Sequence, residues 1–252
     1  MDKRLVFDTI PERFDKWRVR YCTELFDYIT DVCSLTKDKK CLEIGPGTGQ
    51  ATDFALDTGC DYTAIELGEH LAGKMREKYG RYPNFNIINA DFEKYDFCSD
   101  SFDLVYSAAT IQWIDQDIAY RKTFDILKRG GYLAMFYMVG DYKTPCPELF
   151  EKIQKVYDSY YVTEQPYRQK FDYEGGAAYG FEYCVRKEFY GKRHYNADDY
   201  IEYIKTHSDH ITIKEEYKDR FFGGIHDAVA EYGGVDFMDT FVLHIYKNRR
   251  YS

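Results

Sequence analysis

The chain has 252 residues, and its 43 acidic residues outnumber its 34 basic ones, which gives a formal net charge of −9 at pH 7. Nucleic acids and anionic membrane surfaces are bound through clustered positive charge, and the basic residues here are scattered along the chain. No apolar run approaches the roughly 20 residues that a membrane helix needs, and residues 1–10 lack the apolar segment of a signal peptide. We therefore expect a cytoplasmic protein of one domain that binds neither nucleic acid nor membrane.

The seven cysteines are an odd number and include no Cys-x-x-Cys pair. This pattern disfavours both a disulfide framework and a zinc knuckle, so we expect reduced thiols and no metal site. Tyrosine is the strongest compositional bias, and more than half of its 26 copies follow Phe136. The second half of the chain is therefore expected to differ in character from the first.

The first half of the chain has the pattern of an α/β fold. Residues 10–33 have apolar spacings that predict one or two amphipathic helices. Residues 40–137 then alternate short apolar runs with amphipathic stretches, which is typical of β-α-β units in a parallel sheet. Strands are predicted at residues 41–44, 62–66, 85–89, 102–107 and 132–137. Helices are predicted after the first, second and fourth strands, at residues 48–56, 69–79 and 115–127.

The remaining elements are less regular. Residues 148–160 predict a helix, and residues 165–180 predict a loop or lid, because three glycines stand there among aromatic residues. A further strand is predicted at residues 186–195, and further helices at residues 197–206 and 214–232. The last apolar segment, residues 235–246, predicts a long strand that completes the sheet.

The most informative segment is LEIGPGTG at residues 42–49, in which a strand ends in a glycine turn and a helix follows. Glycines let the backbone approach a ligand closely, and a helix start offers free N–H groups. The spacing is G-x-G-x-G, and Gln50 stands where a pyrophosphate-binding G-x-G-x-x-G has its third glycine. Glu43, just before the turn, would repel phosphate and suit a cationic ligand. The motif therefore disfavours a dinucleotide.

Two carboxylates follow the next two strands. Glu66 ends the second predicted strand, where a carboxylate can accept hydrogen bonds from both hydroxyls of a ribose. Asp91 follows the third strand and is next to Phe92. A carboxylate and a ring at this position suit the edge and the face of an adenine. The strand ends together predict a nucleoside site.

These segments resemble the class I S-adenosylmethionine-dependent methyltransferases. The resemblance runs in the expected order through LEIGPGTGQAT, YTAIELGEHLAGKMREKY, NADFEKYDF, FDLVYSAATIQWID and LKRGGYLAMF. Within that class the chain is most similar to the small-molecule branch that contains trans-aconitate methyltransferase. The resemblance implies a Rossmann-like, seven-stranded, mostly parallel sheet with helices on both faces, N-terminal helices and a C-terminal cap or lid.

It also implies a domain organisation. One methyltransferase domain spans residues 1–252, with an N-terminal helical cover at residues 1–35, a cofactor-binding core at 36–140, a cap or lid at 141–185 and a sheet-completing part at 186–252. The sequence leaves open whether the protein is a monomer or a homodimer.

The family implies S-adenosylmethionine as the cofactor and assigns residues to its parts. The glycine turn would approach the methionine part, Glu43 would hold the ammonium directly or through water, Glu66 would hold the ribose, and Asp91 with Phe92 would bracket the adenine. The implied cofactor-binding residues are Glu43, Gly45, Pro46, Gly47, Gly49, Gln50, Glu66, Leu67, Asp91, Phe92, Ser107 and Ala108.

The implied substrate-facing residues are Gln112, Trp113 and Ser107. Relatives commonly have His-Trp where this chain has Gln112-Trp113, and an amide cannot act as a base near pH 7. Ser107 and Gln112 also have a plainer interpretation, in which they only satisfy backbone groups. The catalytic residue is therefore left open.

The resemblance implies transfer of a methyl group to a small-molecule acceptor by in-line displacement. A carboxylate acceptor needs cationic or hydroxyl donors and no base, whereas an alcohol or an ammonium needs a base. Candidates to pair with an acid are Arg168, Arg186, Arg193 and His194, and candidates to titrate near neutrality are His207 and His210. The tyrosines that would form an aromatic wall with hydroxyl donors are Tyr167, Tyr173, Tyr179 and Tyr183.

Two alternative functions stay open from the sequence. One is a methyltransferase-like protein that binds the cofactor without turnover, because Gln112 replaces a base. The other is a nicotinamide-dependent oxidoreductase, which shares the first half of the fold but requires a different glycine spacing.

Overall fold

A computed structural model describes residues 2–164, 166 and 170–249. The chain divides into two compact units. The first unit comprises Met1–Arg18, Val139–Arg168 and Tyr190–Thr240, and the second comprises Val19–Met138, Gln169–Phe189 and Phe241–Ser252. Within the described residues, none of the helices combines the length and the apolar character needed to cross a membrane.

Seven strands form one sheet in the order β3-β2-β1-β4-β5-β7-β6. They are β1 Lys40–Ile44, β2 Asp61–Glu66, β3 Phe85–Asn89, β4 Phe102–Ala108, β5 Leu127–Asp141, β6 Phe181–Tyr195 and β7 Val235–Asn248. The pairs β1·β2, β2·β3, β1·β4 and β4·β5 are parallel. The expected seven-stranded, mostly parallel sheet is confirmed, and the final strand joins it. The strand order reverses between β1 and β4, so a crevice is expected at their carboxyl ends.

The described residues contain nine α-helices and three 3-10 helices. The α-helices are α1 Pro11–Trp17, α2 Thr23–Cys33, α3 Asp53–Asp57, α4 Glu69–Tyr79, α5 Gln116–Ile126, α6 Pro147–Tyr160, α7 Ala197–Ile204, α8 Ser208–Ile211 and α9 Glu215–Glu231. The 3-10 helices are Lys3–Thr9, Ile111–Trp113 and Gly175–Tyr179. The helices predicted for residues 10–33 are present as α1 and α2, and all of the predicted downstream helices are also present.

Several predicted bounds differ from the structure. The strand expected at residues 132–137 spans Leu127–Asp141. The helix expected at residues 48–56 begins only at Asp53, because Gly49 has φ +91°, which a right-handed helix cannot contain. The segment expected as a loop or lid contains the 3-10 helix Gly175–Tyr179, while residues 165 and 167–169 lie outside the described residues. The strand expected from residue 186 begins at Phe181.

Alternate residues of the central strands pack on opposite faces of the sheet in the second unit. Cys41 of β1 belongs to an apolar cluster with residues of α2, α3 and α4. Leu42 and Ile44 belong to a second cluster with residues of α5. This alternation is the period of two that a strand imposes on its side chains, and it confirms helices on both faces.

The first unit has its own buried apolar residues. Three helices provide most of them: α6 contributes Leu149 and Ile153, α7 contributes Tyr200 and Ile204, and α9 contributes Phe221, Ile225 and Val229. The amphipathic patterns of residues 148–160, 197–206 and 214–232 therefore have a buried face, as the spacing predicts.

Glu43 of β1 is fully buried, and its carboxylate connects three parts of the second unit. Its Oε2 accepts hydrogen bonds from the Tyr62 hydroxyl at 2.5 Å, the Thr52 hydroxyl at 2.7 Å and the Tyr106 hydroxyl at 2.9 Å. Its Oε1 has no hydrogen-bond partner among the described residues. These donors come from β2, from the turn before α3 and from β4. The carboxylate therefore fixes the turn before α3 against the three central strands.

Burial raises the pKa of Glu43, and the three hydroxyl donors offset part of that rise. The folded protein thus holds this proton more tightly than the unfolded chain does. The corresponding stability is present below the ordinary glutamate pKa of about 4.3 and is lost as the pH rises through the folded-state pKa. The proton on Glu43 therefore makes the free energy of unfolding decline above about pH 4. Glu43→Gln should remove this part of the decline, as measured by urea unfolding at a series of pH values.

A matched variant sharpens this test. Tyr62→Phe removes one hydroxyl donor from the carboxylate, so it should raise the pKa of Glu43 further and move the decline to higher pH. If the free energy of unfolding depends on pH identically in the wild type and in Glu43→Gln, Glu43 is not the source of the decline.

Arg193 and Asp239 form a buried ion pair in the first unit. The Arg193 Nη2 lies 2.7 Å from Asp239 Oδ1, and its Nε also donates to the carboxylate. The Asp239 side chain is 1% exposed. The guanidinium lies over the ring of Phe237 at 4.8 Å. Removing one partner of such a pair leaves an uncompensated buried charge.

Asp239→Ala is therefore expected to lower the free energy of unfolding by about 3–5 kcal/mol. As a control, Glu202→Ala removes a partly exposed partner that lies 3.0 Å from Arg13, and its expected cost is about 0–1 kcal/mol. Urea unfolding of both variants measures the difference. Equal destabilisation by the two substitutions would show that burial does not determine how much the Arg193–Asp239 pair contributes to the free energy of unfolding.

Candidate functional site

The glycine turn after β1 lies against the segment that follows β4. Gly45 has φ +63°, and its N–H donates to the Ile65 carbonyl at 2.9 Å. A Cβ atom on Gly45 would lie 2.2 Å from the Thr110 Cγ2. The Thr110 hydroxyl also donates to the Gly45 carbonyl at 2.9 Å. Only glycine fits this position, because both the positive φ and the close approach exclude a side chain.

Glu66 lies between two turns at the carboxyl edge of the sheet. Its Oε2 accepts from the Gly47 N–H at 3.0 Å, and its Oε1 accepts from the Gly68 N–H at 2.9 Å. The residue is 6% exposed. The two backbone N–H groups each hold one carboxylate oxygen, so the carboxylate is fixed between the two turns. Its role toward a ribose stays a prediction.

The strand ends are also connected by side chains that donate to backbone carbonyls. Asn89, the last residue of β3, donates to the Glu66 carbonyl at 2.9 Å. The fully buried Ser107 donates to the Ile44 carbonyl at 3.2 Å. In this structure Ser107 therefore satisfies a backbone group, and its role toward a cofactor stays a prediction. Sequence reasoning did not select Asn89, because an exposed asparagine at a strand end gives no distinctive pattern.

Asp91 and Phe92 follow β3, as predicted. The Asp91 Oδ1 accepts from the Glu93 N–H at 3.0 Å, and the carboxylate lies 3.6 Å from the Lys94 ammonium. Phe92 is 5% exposed and packs in the second apolar cluster. The Lys122 ammonium lies 5.3 Å from the centre of its ring. Asp91 and Phe92 thus place a carboxylate and an aromatic ring next to each other after β3.

The other predicted cofactor residues lie in the same turns. The Pro46 carbonyl accepts from the Gly49 N–H at 2.9 Å, and the Gln50 amide contacts Thr48 at 2.7 Å. The Leu67 carbonyl accepts from Asn89 at 3.2 Å. Ala108 ends β4. Gln50 additionally lines a cleft of about 480 Å³ between α2 and α3.

Glu43, by contrast, lies inside the core, and its role toward a cofactor ammonium stays a prediction. The buried Oε1 is an acceptor without a partner among the described residues. Like the carboxylate of Glu66, this buried oxygen suits the positively charged ligand that the sequence predicts at the turn.

Gln112 belongs to a cluster of aromatic residues around a buried histidine. Its Oε1 accepts from the Tyr173 hydroxyl at 2.6 Å, and Trp113 lies beside it in the same 3-10 helix. The Tyr173 ring stacks on His244, with centres 5.5 Å apart. The Tyr183 hydroxyl lies 3.1 Å from the His244 Nδ1. We call Tyr137, Tyr173, Tyr183 and His244 the tyrosine cage.

Two of the four tyrosines predicted to form an aromatic wall belong to the tyrosine cage. Tyr173 and Tyr183 line the tyrosine cage, whereas the Tyr179 hydroxyl donates to Asp117 at 2.5 Å. Tyr167 lies outside the described residues. Sequence reasoning missed His244, because it is a single histidine in the apolar strand FVLHIY, far from every motif.

The predicted partners for an acid are engaged within the chain. Arg186 lies 2.6 Å from Glu188, Arg193 pairs with Asp239, and His194 lies 2.8 Å from Asp236. Arg168 lies outside the described residues. These ion pairs compete with any acidic ligand for the same donors.

The two histidines predicted to titrate lie in α8 and just before it. His210 is 5% exposed, and its two ring nitrogens contact the Tyr157 hydroxyl and Asp209 Oδ1, each at 2.7 Å. Burial lowers the pKa of His207. The donor atoms of His207, Asp209 and His210 lie within 4.8 Å of one another. Since both nitrogens of His210 already have partners, the cluster is a hydrogen-bond network in this structure.

Comparison with known proteins adds to this geometry. Residues 42–135 match the methyltransferase domain family. A ribosomal RNA small subunit methyltransferase A from Hahella chejuensis is 40% identical over 73 residues, which is 29% of this chain and 27% of that protein. A malonyl-[acyl-carrier protein] O-methyltransferase from Enterobacter lignolyticus is 28% identical over 134 residues, which is 52% of this chain and 48% of that protein.

The similarity of fold extends over nearly the whole chain. A candidate type II methyltransferase from Anaeromyxobacter dehalogenans superposes with a TM-score of 0.70 at 15% identity, covering 93% of this chain and 99% of that structure. The two sequence relatives, in contrast, are matched over at most about half of their length. The matched domain, the strand order and the glycine turn agree: residues 42–135 match a methyltransferase domain, and the chain has the fold of a methyltransferase structure.

Proposed function

We propose that this protein transfers a methyl group from S-adenosylmethionine to a small-molecule acceptor. The observation that carries the proposal is the contact between Glu66 and the glycine turn, in which Gly47 donates to the carboxylate at 3.0 Å. This contact brings the implied ribose residue within one hydrogen bond of the implied methionine-binding turn. Both lie at the carboxyl ends of strands beside the point where the strand order reverses, which is where nucleotide-type ligands bind in such sheets.

When bound, S-adenosylmethionine supplies a methyl carbon on a sulfonium, whose positive charge disappears in the reaction. The residues of this chain then have three tasks, which are to hold the adenosyl and methionine parts, to orient the acceptor and to exclude water. Glu66 offers its carboxylate to the ribose hydroxyls. Asp91 and Phe92 offer a carboxylate and a ring to the adenine. The buried Oε1 of Glu43 offers a partner for the ammonium.

A small molecule is the acceptor class that the charge favours. The net charge of −9 disfavours RNA as a partner, so we do not extend the RNA-modifying activity named for the Hahella relative to this chain. The malonyl-carrier O-methyltransferase relative supports an oxygen acceptor. A carboxylate is one such acceptor, and it requires no base.

Calorimetric titration with S-adenosylmethionine and with S-adenosylhomocysteine tests the cofactor. We expect saturable heat from both ligands and none from NADH. Absence of heat from both adenosyl ligands in folded protein would overturn the proposal, and heat from NADH would favour an oxidoreductase.

Turnover is tested separately, by incubation with methyl-labelled cofactor and a small-molecule extract. Label in any acceptor supports the enzyme. Cofactor binding without label in any acceptor would instead indicate a methyltransferase-like protein that binds the cofactor and transfers nothing.

Glu66→Ala is expected to weaken cofactor binding by about 1–3 kcal/mol, the scale of charge-assisted hydrogen bonds to buried hydroxyls. Glu77→Ala is the matched control, since it removes an exposed carboxylate near the far end of α4. Calorimetry should give wild-type affinity for the control. Unchanged affinity in Glu66→Ala would mean that the ribose binds elsewhere. Gly47→Val should weaken binding more, because its side chain would fill the space of the ligand.

A further inference from the structure

His244 of β7 is a buried imidazole with one committed nitrogen. The residue is 2% exposed. Its Nδ1 lies 3.1 Å from the Tyr183 hydroxyl, while its Nε2 is buried and has no hydrogen-bond partner among the described residues. A buried polar atom without a partner costs about 1–3 kcal/mol. Such an atom is expected where a ligand completes the hydrogen bonding.

The other members of the tyrosine cage place aromatic rings beside the His244 ring. The ring centres of Tyr137 and Tyr173 lie 4.6 Å apart, and those of Tyr173 and His244 lie 5.5 Å apart. Tyr183 is 39% exposed, so the cage extends to the surface of its unit. Aromatic walls with one convergent polar atom suit a small aromatic ligand that carries a polar hydrogen.

The cage is connected to the predicted substrate-facing residues. The Tyr173 hydroxyl donates to Gln112 at 2.6 Å, and Gln112 follows β4 directly. The Tyr173 main chain is held separately, because the Tyr246 hydroxyl donates to its carbonyl at 2.7 Å. The Tyr173 side chain therefore joins the cage to Gln112, while its backbone is anchored independently.

We propose that His244 Nε2 accepts the hydroxyl proton of a phenol-like methyl acceptor bound in the tyrosine cage. This inference rests on the proposed function and names the acceptor class of that same site. A carboxylate would instead need a cation, and Arg186 and Arg193 are paired with Glu188 and Asp239.

The step conserves atoms and charge. The phenol oxygen forms a bond to the methyl carbon of the sulfonium donor, the carbon–sulfur bond breaks, and its electron pair stays on sulfur. The phenol proton moves to Nε2, which leaves a methyl ether, a thioether and an imidazolium. Tyr183 orients the ring through Nδ1, as the partner of a general base does.

Burial lowers the pKa of His244 and keeps the imidazole neutral near pH 7. The charged groups that act on it are Glu174 and Asp172, which favour the imidazolium, and Arg186, which opposes it. The uncharged cage hydroxyls belong to Tyr137, Tyr173 and Tyr183. The rate with phenol should therefore fall as the pH drops through a value below the ordinary histidine pKa of about 6.5.

The test compares His244→Gln with His226→Gln, which alters a partly exposed histidine paired with Asp198. The probes are phenol, which keeps its proton near pH 7, and 4-nitrophenol, which is more acidic and has less need of a base. We expect His244→Gln to lower kcat/KM for phenol at least about 100-fold, the lower range of general-base effects, and to affect 4-nitrophenol much less. In ¹⁵N-histidine spectra, phenol should shift the His244 ring signals of the wild type.

Titration with the cofactor separates the proposed function from the inference about His244. If S-adenosylmethionine gives no heat in wild-type protein, the proposed function itself fails. If the cofactor binds normally in both variants, the inference about His244 fails under any of three results: phenol shifts no His244 signal, wild-type protein methylates no phenol, or His244→Gln and His226→Gln lose phenol activity equally.

Discussion

One buried carboxylate constrains the geometry of the site. Glu43 lies on the central strand β1 at 0% exposure, where an ionised group is tolerated only if hydrogen bonds replace its hydration. Hydroxyls of Tyr62, Thr52 and Tyr106 supply those bonds to a single oxygen. Because the donors come from β2, the turn before α3 and β4, satisfying the carboxylate also fixes where that turn lies relative to the central strands.

The strand ends form a site whose groups already have partners within the chain. Glu66 is held by two backbone N–H groups, and the Ser107 hydroxyl donates to the end of β1. Such contacts orient the carboxylate before a ligand arrives, so less ordering remains for the ligand to impose. The same contacts explain why neighbouring turns, rather than one loop, make up the candidate cofactor site.

The candidate acceptor side has a different character. Ion pairs within the chain occupy the described arginines that the sequence offered as anchors for an acid. His244, in contrast, is buried beside tyrosine rings, and its Nε2 has no hydrogen-bond partner in the part of the chain that the structure describes. A neutral aromatic cage and a cationic anchor select different acceptors. The tyrosine bias of the second half of the chain thus has a local structural consequence in Tyr137, Tyr173 and Tyr183.

Local patterns in the sequence were sufficient for much of the fold and of the cofactor side. Alternating apolar residues identified β1 to β5, and the glycine turn with Glu66 identified the strand ends that meet, because periodicity and turn chemistry act over a few residues. The start of α3 was misplaced, since the positive φ of Gly49 extends the turn. His244, the backbone contact of Ser107 and the pairing of Arg193 with Asp239 were beyond sequence reasoning. Each joins residues that are distant along the chain, and only tertiary packing decides which distant polar groups become neighbours and which buried atom is left without a partner.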